Sequence, residues 1–481
     1  MSGAKVAVGV AVVSVGAVLA AAAATDDPIG ARPLRATVAP VTDVQLICPG
    51  LDGLGGEPMT VTVADLGPAF GRAGGPPRVS ATALTGDRRP EALTPDPAAT
   101  LRFTSRAPAV VVRVRGPGAG AIAADQHGLV PRGPGRGALS TPCLPPTTDW
   151  WLTGADGRVG HDDELVLVNA GSTPADVTVT AWAATGRLVP PRLESFSVGA
   201  GSRAVLPVAA YTPDAAFVTF HVHANSGRVA AQVRTAQTAG LYPDGVDWLA
   251  PTLPPSRQVT VPGFARGPGP RLVVVTNPGP TDATVHLRVV TADRAFVPSG
   301  HPELPLPAGR SATVDLASTL GGAPGAVELT SDVPVTAAGM SQLDPDGGAG
   351  TYADVQWQPA ATPLSGPAAL ADNSAPLDQA VRLSLAAPGA AGSVRVVTAS
   401  GRSRTISVRA DRTLSVDLVD LLGAAARGPL LLLPVSGRLT VSRSVSATGT
   451  HGPLVTAEQP WSLPVPASLP PVVQDPRAAV R

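Results

Sequence analysis

Apolar and polar residues alternate through much of this chain, as they do in β-strands that bury one face and expose the other. In the stretch AGRSATVDL, for example, Ala312, Val314 and Leu316 would share one face of a strand. Turns rich in glycine and proline separate such stretches. Outside the N-terminal run, helical periodicity is confined to one segment, Asp417–Arg427. The pattern predicts short strands joined by frequent turns, with one short helix near residue 420.

A strand–turn–strand pattern recurs along the chain with a spacing of roughly 108 residues. The copies begin LVLVNAGSTPADV at Leu165, VVVTNPGPTDATV at Val273 and LSLAAPGAAGSVR at Leu383. A Thr-Ser-x-x-Pro turn follows both Leu101 and Val327, which predicts a divergent fourth copy near the N-terminus and a hairpin at each turn. The period matches an immunoglobulin-like sandwich, which needs about 100 residues.

We therefore predict an all-β chain of tandem immunoglobulin- or fibronectin-like β-sandwich domains after an N-terminal hydrophobic helix. Cores stop growing beyond about 250–300 residues, so several domains are expected. The 52 glycines and 53 prolines exclude a mainly helical protein. The predicted segments are a signal peptide or transmembrane anchor (1–25), a linker (26–40), a divergent N-terminal β domain (41–148), three sandwich repeats (149–249, 250–358, 359–450) and a Pro-rich C-terminal tail (451–481).

The amino terminus predicts the compartment. Lys5 precedes an uncharged run rich in Val, Gly and Ala, residues 6–24, and Asp26 follows it. This is the layout of a signal peptide, with small residues that suit cleavage, and the run is also about long enough to span a bilayer. Either reading places the remaining chain outside the cytoplasm, anchored to the membrane by residues 6–24 or secreted after cleavage.

Charge and motifs narrow the function classes. The chain has 36 basic and 36 acidic residues, so it lacks the basic footprint of a nucleic-acid-binding protein. Neither a nucleotide-binding loop nor a Gly-x-Ser-x-Gly elbow nor a His-Glu-x-x-His helix occurs. We assign no catalytic residue and no cofactor, and we expect a protein that is not an enzyme.

Cys48 and Cys143 are the only cysteines, and they flank the first predicted β domain. In an exported chain two cysteines are expected to pair, because the compartment is oxidising. A disulfide between them would close a loop of roughly 95 residues and restrict the unfolded chain. A reactive thiol is the alternative, although neither cysteine lies in a Cys-x-x-Cys pair.

Three groups of residues are candidates for binding. His221 and His223 alternate on one predicted strand and could bind zinc only with a third ligand from elsewhere. We interpret them as partly exposed strand histidines and assign no metal ligand. The acidic runs 161–164 and 344–346 are interpreted as solvated turns rather than calcium sites. The tryptophans near predicted domain junctions are expected to pack between domains, or alternatively to form an aromatic platform for a ligand; they are Trp150, Trp151, Trp248 and Trp357.

The chain resembles an uncharacterised actinobacterial family of membrane-anchored secreted proteins, known as a domain of unknown function. The resemblance rests on the N-terminal run, on Cys48 in ICPG, on Cys143 shortly before Asp149-Trp150, and on the Asn-Pro-Gly turn at Asn277. The family has no assigned activity, so the resemblance implies no catalytic residue.

The sequence thus predicts a non-enzymatic scaffold or adaptor of the cell envelope, which binds an envelope protein or a wall polysaccharide and no nucleic acid. A binding module for wall polysaccharide or protein is the first alternative, and it requires exposed tryptophans. A hydrolase with an unrecognised site is the second, and it requires a concave pocket with converging Asp, His or Ser side chains.

Overall fold

A computed structural model describes residues 37–50, 59–70, 77–84, 91–93, 100–188, 193–300, 303–345, 350–374, 380–464 and 467–469. The chain divides into two compact units, Val41–Val465 and a smaller one formed by Met1–Pro40 with Pro466–Arg481. Among its described residues the smaller unit has an antiparallel pair, β1 (Thr37–Ala39) with Ala467–Leu469. The predicted hydrophobic helix lies outside the described residues. In the part of the chain that is described, no helix is long and apolar enough to cross a membrane.

The larger unit contains four β regions in sequence. The first region, residues 43–142, has eight described strands and two 3-10 helices, Gly67–Phe70 and Ala119–Ala121. Its strands are β2 (Asp43–Cys48), β3 (Met59–Asp65), β4 (Arg78–Ala83), β5 (Glu91–Leu93), β6 (Thr100–Ser105), β7 (Val110–Arg115), β8 (Ile122–Val130) and β9 (Gly137–Pro142).

The second region, residues 149–249, includes the short helix α1 (Val208–Tyr211). Its strands are β10 (Asp149–Ala155), β11 (Glu164–Asn169), β12 (Ala175–Ala183), β13 (Gly186–Leu188), β14 (Phe196–Val198), β15 (Ser202–Pro207), β16 (Val218–Ser226), β17 (Ala230–Ala239) and β18 (Tyr242–Leu249).

The third region, residues 256–359, includes helix α2 (Ala317–Leu320). Its strands are β19 (Ser256–Phe264), β20 (Arg271–Asn277), β21 (Ala283–Val290), β22 (Ala295–Phe296), β23 (Leu304–Leu306), β24 (Arg310–Asp315), β25 (Gly325–Leu343) and β26 (Asp354–Pro359).

The fourth region, residues 368–462, includes helix α3 (Leu418–Leu422), which continues as a 3-10 helix over Gly423–Arg427. The helix predicted near residue 420 is therefore confirmed. The strands are β27 (Ala368–Leu370), β28 (Ala380–Ala387), β29 (Gly392–Thr398), β30 (Ser403–Val408), β31 (Arg412–Asp417), β32 (Leu430–Ser436), β33 (Thr440–Gly449), β34 (Gly452–Glu458) and β35 (Trp461–Ser462).

The same antiparallel strand order recurs in all four regions, and the predicted all-β class is confirmed. In one sheet of each region the order is β2-β7-β4 in the first region, β10-β16-β12 in the second, β19-β25-β21 in the third and β27-β32-β29 in the fourth. The other has the order β6-β3-β8-β9, β15-β11-β17-β18, β24-β20-β25-β26 or β31-β28-β33-β34. The two sheets of a region share a buried apolar cluster, since alternate residues of each strand face inward; Val314 is buried and Asp315 is exposed, as the sequence pattern predicts.

Two sequence-based expectations are corrected. The hairpin predicted after Val327 is absent, because β25 continues through this turn and pairs with β21 in one sheet and with β20 in the other. The predicted tail, 451–481, begins too early. Its first part belongs to the fourth region, because β34 pairs with β33 and β35 pairs with β27. Strand β34 is buried continuously from Leu454 to Glu458 and contains Pro453, so it lacks the alternation by which a half-buried strand is recognised.

The last long strands of the four regions pack against one another. Strand β9 contacts β18 and β34, and β26 also contacts β18 and β34. Each region therefore contacts the next one along the chain, and the fourth returns to the first. The core of the second region is continuous with buried residues of its neighbours, such as Val111 and Val274. This cyclic set of contacts places distant segments of sequence at one centre.

Candidate functional site

One carboxyl group joins the last long strands of all four regions. Asp354, at the start of β26, is fully buried. Its oxygens accept the backbone N–H groups of Ala138 at 3.2 Å, Val246 at 3.3 Å, Val355 at 3.0 Å and Val455 at 2.8 Å. Burial raises the pKa of this carboxyl to about 7. The four N–H donors favour the charged form and oppose this rise. The shared acceptor fixes β9, β18, β26 and β34 relative to one another.

Two more buried polar side chains cross between regions at this centre. Asp247 in β18 accepts the backbone N–H of Trp357 in β26 and the hydroxyl of Thr456 in β34, both at 2.8 Å. Burial raises the pKa of Asp247 well above its usual range. Arg136, which precedes β9, donates to the backbone carbonyl of Gly452 at 2.8 Å. These side chains satisfy backbone groups that a simple sheet edge would leave unpaired.

The connectors between the regions meet around a cavity of about 290 Å³, which we call the junction cleft. All four regions contribute to its walls, and prolines, tryptophans and aliphatic residues predominate. The cleft is lined by Pro142, Leu144, residues 149–151, 250–254 and 359–362, Leu364, Val441 and residues 459–462. It is the larger of the two cavities described here, and it has the apolar concave character of a ligand site.

The junction tryptophans divide into two groups. Trp248 and Trp357 are buried at 1% and 5% exposure, so they pack between regions. Trp150 is also buried, and its indole N–H donates to the carbonyl of Val229 at 2.7 Å, but the residue lines the junction cleft. Trp461, which the sequence analysis did not single out, is half-buried in the same wall. The packing interpretation therefore holds for Trp248 and Trp357, whereas Trp150, Trp151 and Trp461 line the cleft.

The two strand histidines meet a carboxylate at the rim of the junction cleft. Asp149 Oδ1 lies 3.0 Å from His221 Nε2 and 3.0 Å from His223 Nδ1. His221 stacks on Trp151 with ring centroids 4.3 Å apart. Burial raises the pKa of Asp149, but hydrogen bonds with His223 and His221 outweigh this effect and hold the pKa below its usual value. Sequence reasoning found the two histidines and missed Asp149, because the pairing of β10 with β16 is not visible in the sequence.

A second cavity, of about 170 Å³, lies between the first and fourth regions. Arg443 Nη2 and Glu458 Oε2 form a buried ion pair at 2.9 Å, and both also bond to the hydroxyl of Ser140 in β9. This polar cavity is lined by Thr60, residues 127–129 and 138–140, Asp372, Ser374, Arg443, Val445 and Thr456. Because both charged residues lie in the fourth region, it is their shared hydrogen bonds to Ser140 that link this region to the first.

The polar cavity contains the convergence of residue types that a hydrolase would need. His127 lies opposite Ser140 in the pairing of β8 with β9, and its Nε2 is 3.5 Å from Asp372 Oδ2. Burial lowers the pKa of His127, and Asp372 opposes that shift. Ser140, however, is 2% exposed, and its hydroxyl donates to Glu458 rather than to His127. The geometry therefore favours a structural role for these side chains over nucleophilic catalysis.

Cys48 and Cys143 form a disulfide with Cα atoms 4.3 Å apart, and both are buried in the core of the first region. This is the pairing expected from the sequence. It joins the end of β2 to the residue that follows β9. Because disulfides persist in oxidising compartments, the bond indicates an extracytoplasmic location.

The interpretation of the acidic run 161–164 as a solvated turn holds for Asp162, whose side chain is 75% exposed, and is wrong for Asp163. Asp163 is buried and accepts two backbone N–H groups, and burial raises its pKa well above the usual range. Asp162 and Glu164 both pair with the buried guanidinium of Arg234, at 3.1 and 3.0 Å. Asp163 and Glu164 are thus part of the internal structure of the second region.

The other acidic turn is described only in part. Asp344 is partly buried, and burial raises its pKa while Arg271 opposes the shift. Asp346 lies outside the described residues. The interpretation of this turn as solvated therefore stays a prediction.

Comparison with solved structures gives only distant likenesses. A crystal structure of protein 1070 from Thermotoga maritima has 15% identity and a TM-score of 0.19, and it covers 23% of this chain and 96% of its own. The BSP domain of a biofilm-associated protein has 8% identity and a TM-score of 0.15, covering 91% and 97%. A tetra-tandem repeat from the extending region of a large adhesion protein has 12% identity and a TM-score of 0.09, covering 89% and 100%. Similarity this low supports no conclusion about function.

Sequence comparison is more specific. The comparison with curated proteins found no match. Residues 98–419 match a family of unknown function, DUF5719. The match extends over more than half of the chain and ends in helix α3. The chain therefore belongs to the DUF5719 family.

Proposed function

We propose that this protein is a non-enzymatic extracytoplasmic adaptor of the cell envelope, which holds a segment of a partner protein in the junction cleft. The observation that carries the proposal is the four-way bonding of Asp354, because it fixes the four strands β9, β18, β26 and β34, whose C-terminal ends lead into the walls of one apolar cleft. A site assembled in this way is preorganised, which lowers the entropic cost of binding.

The chemistry of the cleft favours an extended apolar peptide. Its walls combine proline, alanine and leucine residues with Trp150, Trp151 and Trp461. Aromatic grooves of this kind accept proline-rich or aliphatic segments. The backbone carbonyls of the bound segment accept hydrogen bonds from the groove. A polysaccharide is favoured less, because the ring of Trp151 already stacks on Trp182 and His221 and has less surface to offer a sugar.

The finer architecture belongs to the same proposal. We infer that each region is an immunoglobulin- or fibronectin-like sandwich; a length near 100 residues and two antiparallel sheets per region support this. The charge pattern of residues 1–27 supports export, with residues 6–24 as a membrane anchor or a cleaved signal peptide. The resemblance to membrane-anchored secreted proteins supports the same location.

Site-specific photo-crosslinking in living cells tests the proposal. A crosslinking amino acid replaces Thr362, an exposed residue of the cleft wall, in the full chain. The matched control replaces Leu241, which is 98% exposed in the turn between β17 and β18. We expect position 362 to capture one discrete envelope protein, and Trp461→Ala to reduce that capture at least about tenfold through loss of a large aromatic contact.

The control position should capture no such protein. Equal labelling at both positions, or adducts of position 362 with polysaccharide alone, would overturn the proposed adaptor function.

A further inference from the structure

Two neighbouring strands of the second region bring three potential metal ligands to one point. Asp149 lies directly opposite His223 in the antiparallel pairing of β10 with β16, and His221 is two residues away on the same face. Asp149 Oδ1, His221 Nε2 and His223 Nδ1 all lie within 4.8 Å of one another. A sheet fixes such positions through its backbone, so this convergence does not depend on a mobile loop.

We propose that Asp149, His221 and His223 bind a divalent transition-metal ion, with Zn²⁺ as the ion that their chemistry fits best. Imidazole nitrogens suit Zn²⁺ and its transition-metal neighbours, whereas Ca²⁺ and Mg²⁺ require mainly oxygen ligands. Two histidines and one carboxylate form the ligand set of open zinc sites. The inference goes beyond the proposed adaptor function and does not depend on it.

The surrounding side chains hold the ligands in place. The ring of His221 stacks on Trp151, and Trp151 stacks on Trp182 with centroids 5.5 Å apart, so the imidazole plane is supported from β12. Asp149 Oδ2 accepts the hydroxyl of Thr148 at 3.2 Å, which leaves Oδ1 directed at the two histidines. Supporting contacts of this kind orient ligands and raise metal affinity.

The same hydrogen bonds show what a metal would replace. Without an ion, Asp149 Oδ1 is shared by His221 Nε2 and His223 Nδ1. With an ion, these three atoms turn their lone pairs to the metal, and each histidine keeps its other ring nitrogen free to donate. Three protein ligands leave a fourth tetrahedral position open.

The open position has a defined neighbourhood. Asp149, Trp150 and Trp151 also line the junction cleft, so the ion would lie at its rim. His223 and Asp149 have side chains that are 45% and 49% exposed, which gives the ion a path from solvent. A carboxylate or imidazole of a bound partner could complete the coordination.

Titration of the purified full chain with ZnCl₂, monitored by calorimetry, tests the proposal. We expect one Zn²⁺ per chain, and His221→Ala, His223→Ala and Asp149→Asn should each weaken binding at least about tenfold. The matched control is His286→Ala, which removes an exposed strand histidine from β21 in the third region. This variant should bind Zn²⁺ as the unsubstituted chain does.

Thermal unfolding separates loss of the site from loss of the fold. Each variant should retain the unfolding temperature of the metal-free chain within a few degrees, while the Zn²⁺-induced rise in that temperature disappears in the ligand variants alone. Absence of Zn²⁺ binding by the unsubstituted chain, or equal weakening in His286→Ala, would overturn the metal site. Neither result bears on photo-crosslinking at position 362, so the two proposals fail separately.

Discussion

Asp354 shows how much of the molecule can depend on one side chain. It accepts N–H groups from four strands whose sequence positions differ by hundreds of residues, and it lies out of reach of solvent. Each N–H would otherwise be buried without a partner, at a cost of about 1–3 kcal/mol. The desolvation of the carboxylate is the opposing cost, and it is the reason that its pKa rises to about 7.

This raised pKa makes stability depend on pH in a defined direction. The folded chain binds the Asp354 proton more tightly than the unfolded chain, since the pKa is about 7 against an ordinary 3.8. The stabilising contribution is therefore complete below the ordinary value and is lost as pH rises through about 7, with a slope of up to about 1.4 kcal/mol per pH unit. The urea concentration at the midpoint of unfolding should therefore decrease as the pH is raised from about 5 to about 7.5.

Asp354→Asn provides the control for that slope. The other buried carboxyls with raised pKa, at Asp125, Asp163 and Asp247, remain in the variant, so the difference in slope reports the titration of Asp354 together with the effect of its charge on Asp247. The variant should be less stable throughout, because an amide offers only one acceptor oxygen to the four N–H groups. A slope that does not change on substitution would contradict the assignment of the titration to Asp354.

The disulfide makes a second prediction at the residue scale. Cys48 and Cys143 close a loop with a sequence separation of 95 residues. In the chain-entropy model this restriction of the unfolded chain is equivalent to about 4–5 kcal/mol. Replacing both cysteines with serine should lower the unfolding temperature and reduce hydrogen-exchange protection most strongly in β2–β9. Alkylation of either thiol in the native secreted chain would contradict the pairing.

At the scale of elements, the sequence predicts strands well where an apolar run or a clean alternation recurs. The strands around Val166, Val274 and Leu385 lie where the repeat predicts them: the first two are apolar runs buried along nearly their whole length, and the third alternates buried and partly buried residues in its first half. Strand β34 was missed, since the surrounding prolines dominate its local pattern. The continuity of β25 was missed because a Thr-Ser-x-x-Pro stretch resembles a turn until its pairing partners in both sheets are known.

The candidate sites were predicted less completely than the strands, for a physical reason. His221 and His223 share a face by simple alternation, which is visible in the sequence. Their contact with Asp149 depends on the register of two strands that are about 70 residues apart, which alternation does not encode. The junction cleft depends further on contacts between regions, through polar residues such as Gln232 and Asp247 that have no distinctive sequence signal.

The ion pair between elements of the fourth region offers a test of these contacts. Arg443→Met leaves Glu458 buried with Ser140 as its donor and should destabilise the chain by about 3–5 kcal/mol. Adding Glu458→Gln should recover part of that loss, because the unpaired buried charge is then removed. The control is Arg382→Met, whose partly exposed guanidinium lies 4.0 Å from Asp417, and it should cost less than about 1 kcal/mol.

Urea unfolding of the single and double variants measures these differences. A double variant that is no more stable than Arg443→Met would contradict the buried-charge explanation.

At the scale of the larger unit, the contacts differ from those of a simple tandem chain. In a tandem chain each domain touches only its sequence neighbours, and the connectors act as spacers. Here the first region also contacts the fourth, through Arg136 and Gly452 and through the polar cavity. The connectors consequently form the wall of a site instead of a series of hinges, which is the physical basis of the adaptor proposal.

Cutting the chain between the second and third regions distinguishes these two arrangements. A protease site introduced after Pro254, an exposed connector residue, divides the larger unit into two pieces. In the closed arrangement the pieces stay together, because Asp247 bonds to Trp357 across the cut and the first region still contacts the fourth. We expect both pieces to co-elute from a sizing column after cleavage. Asp354→Ala, which removes the shared acceptor, should shift them towards separation, whereas separation of the unsubstituted pieces at micromolar concentration would show that the regions are joined by their connectors alone.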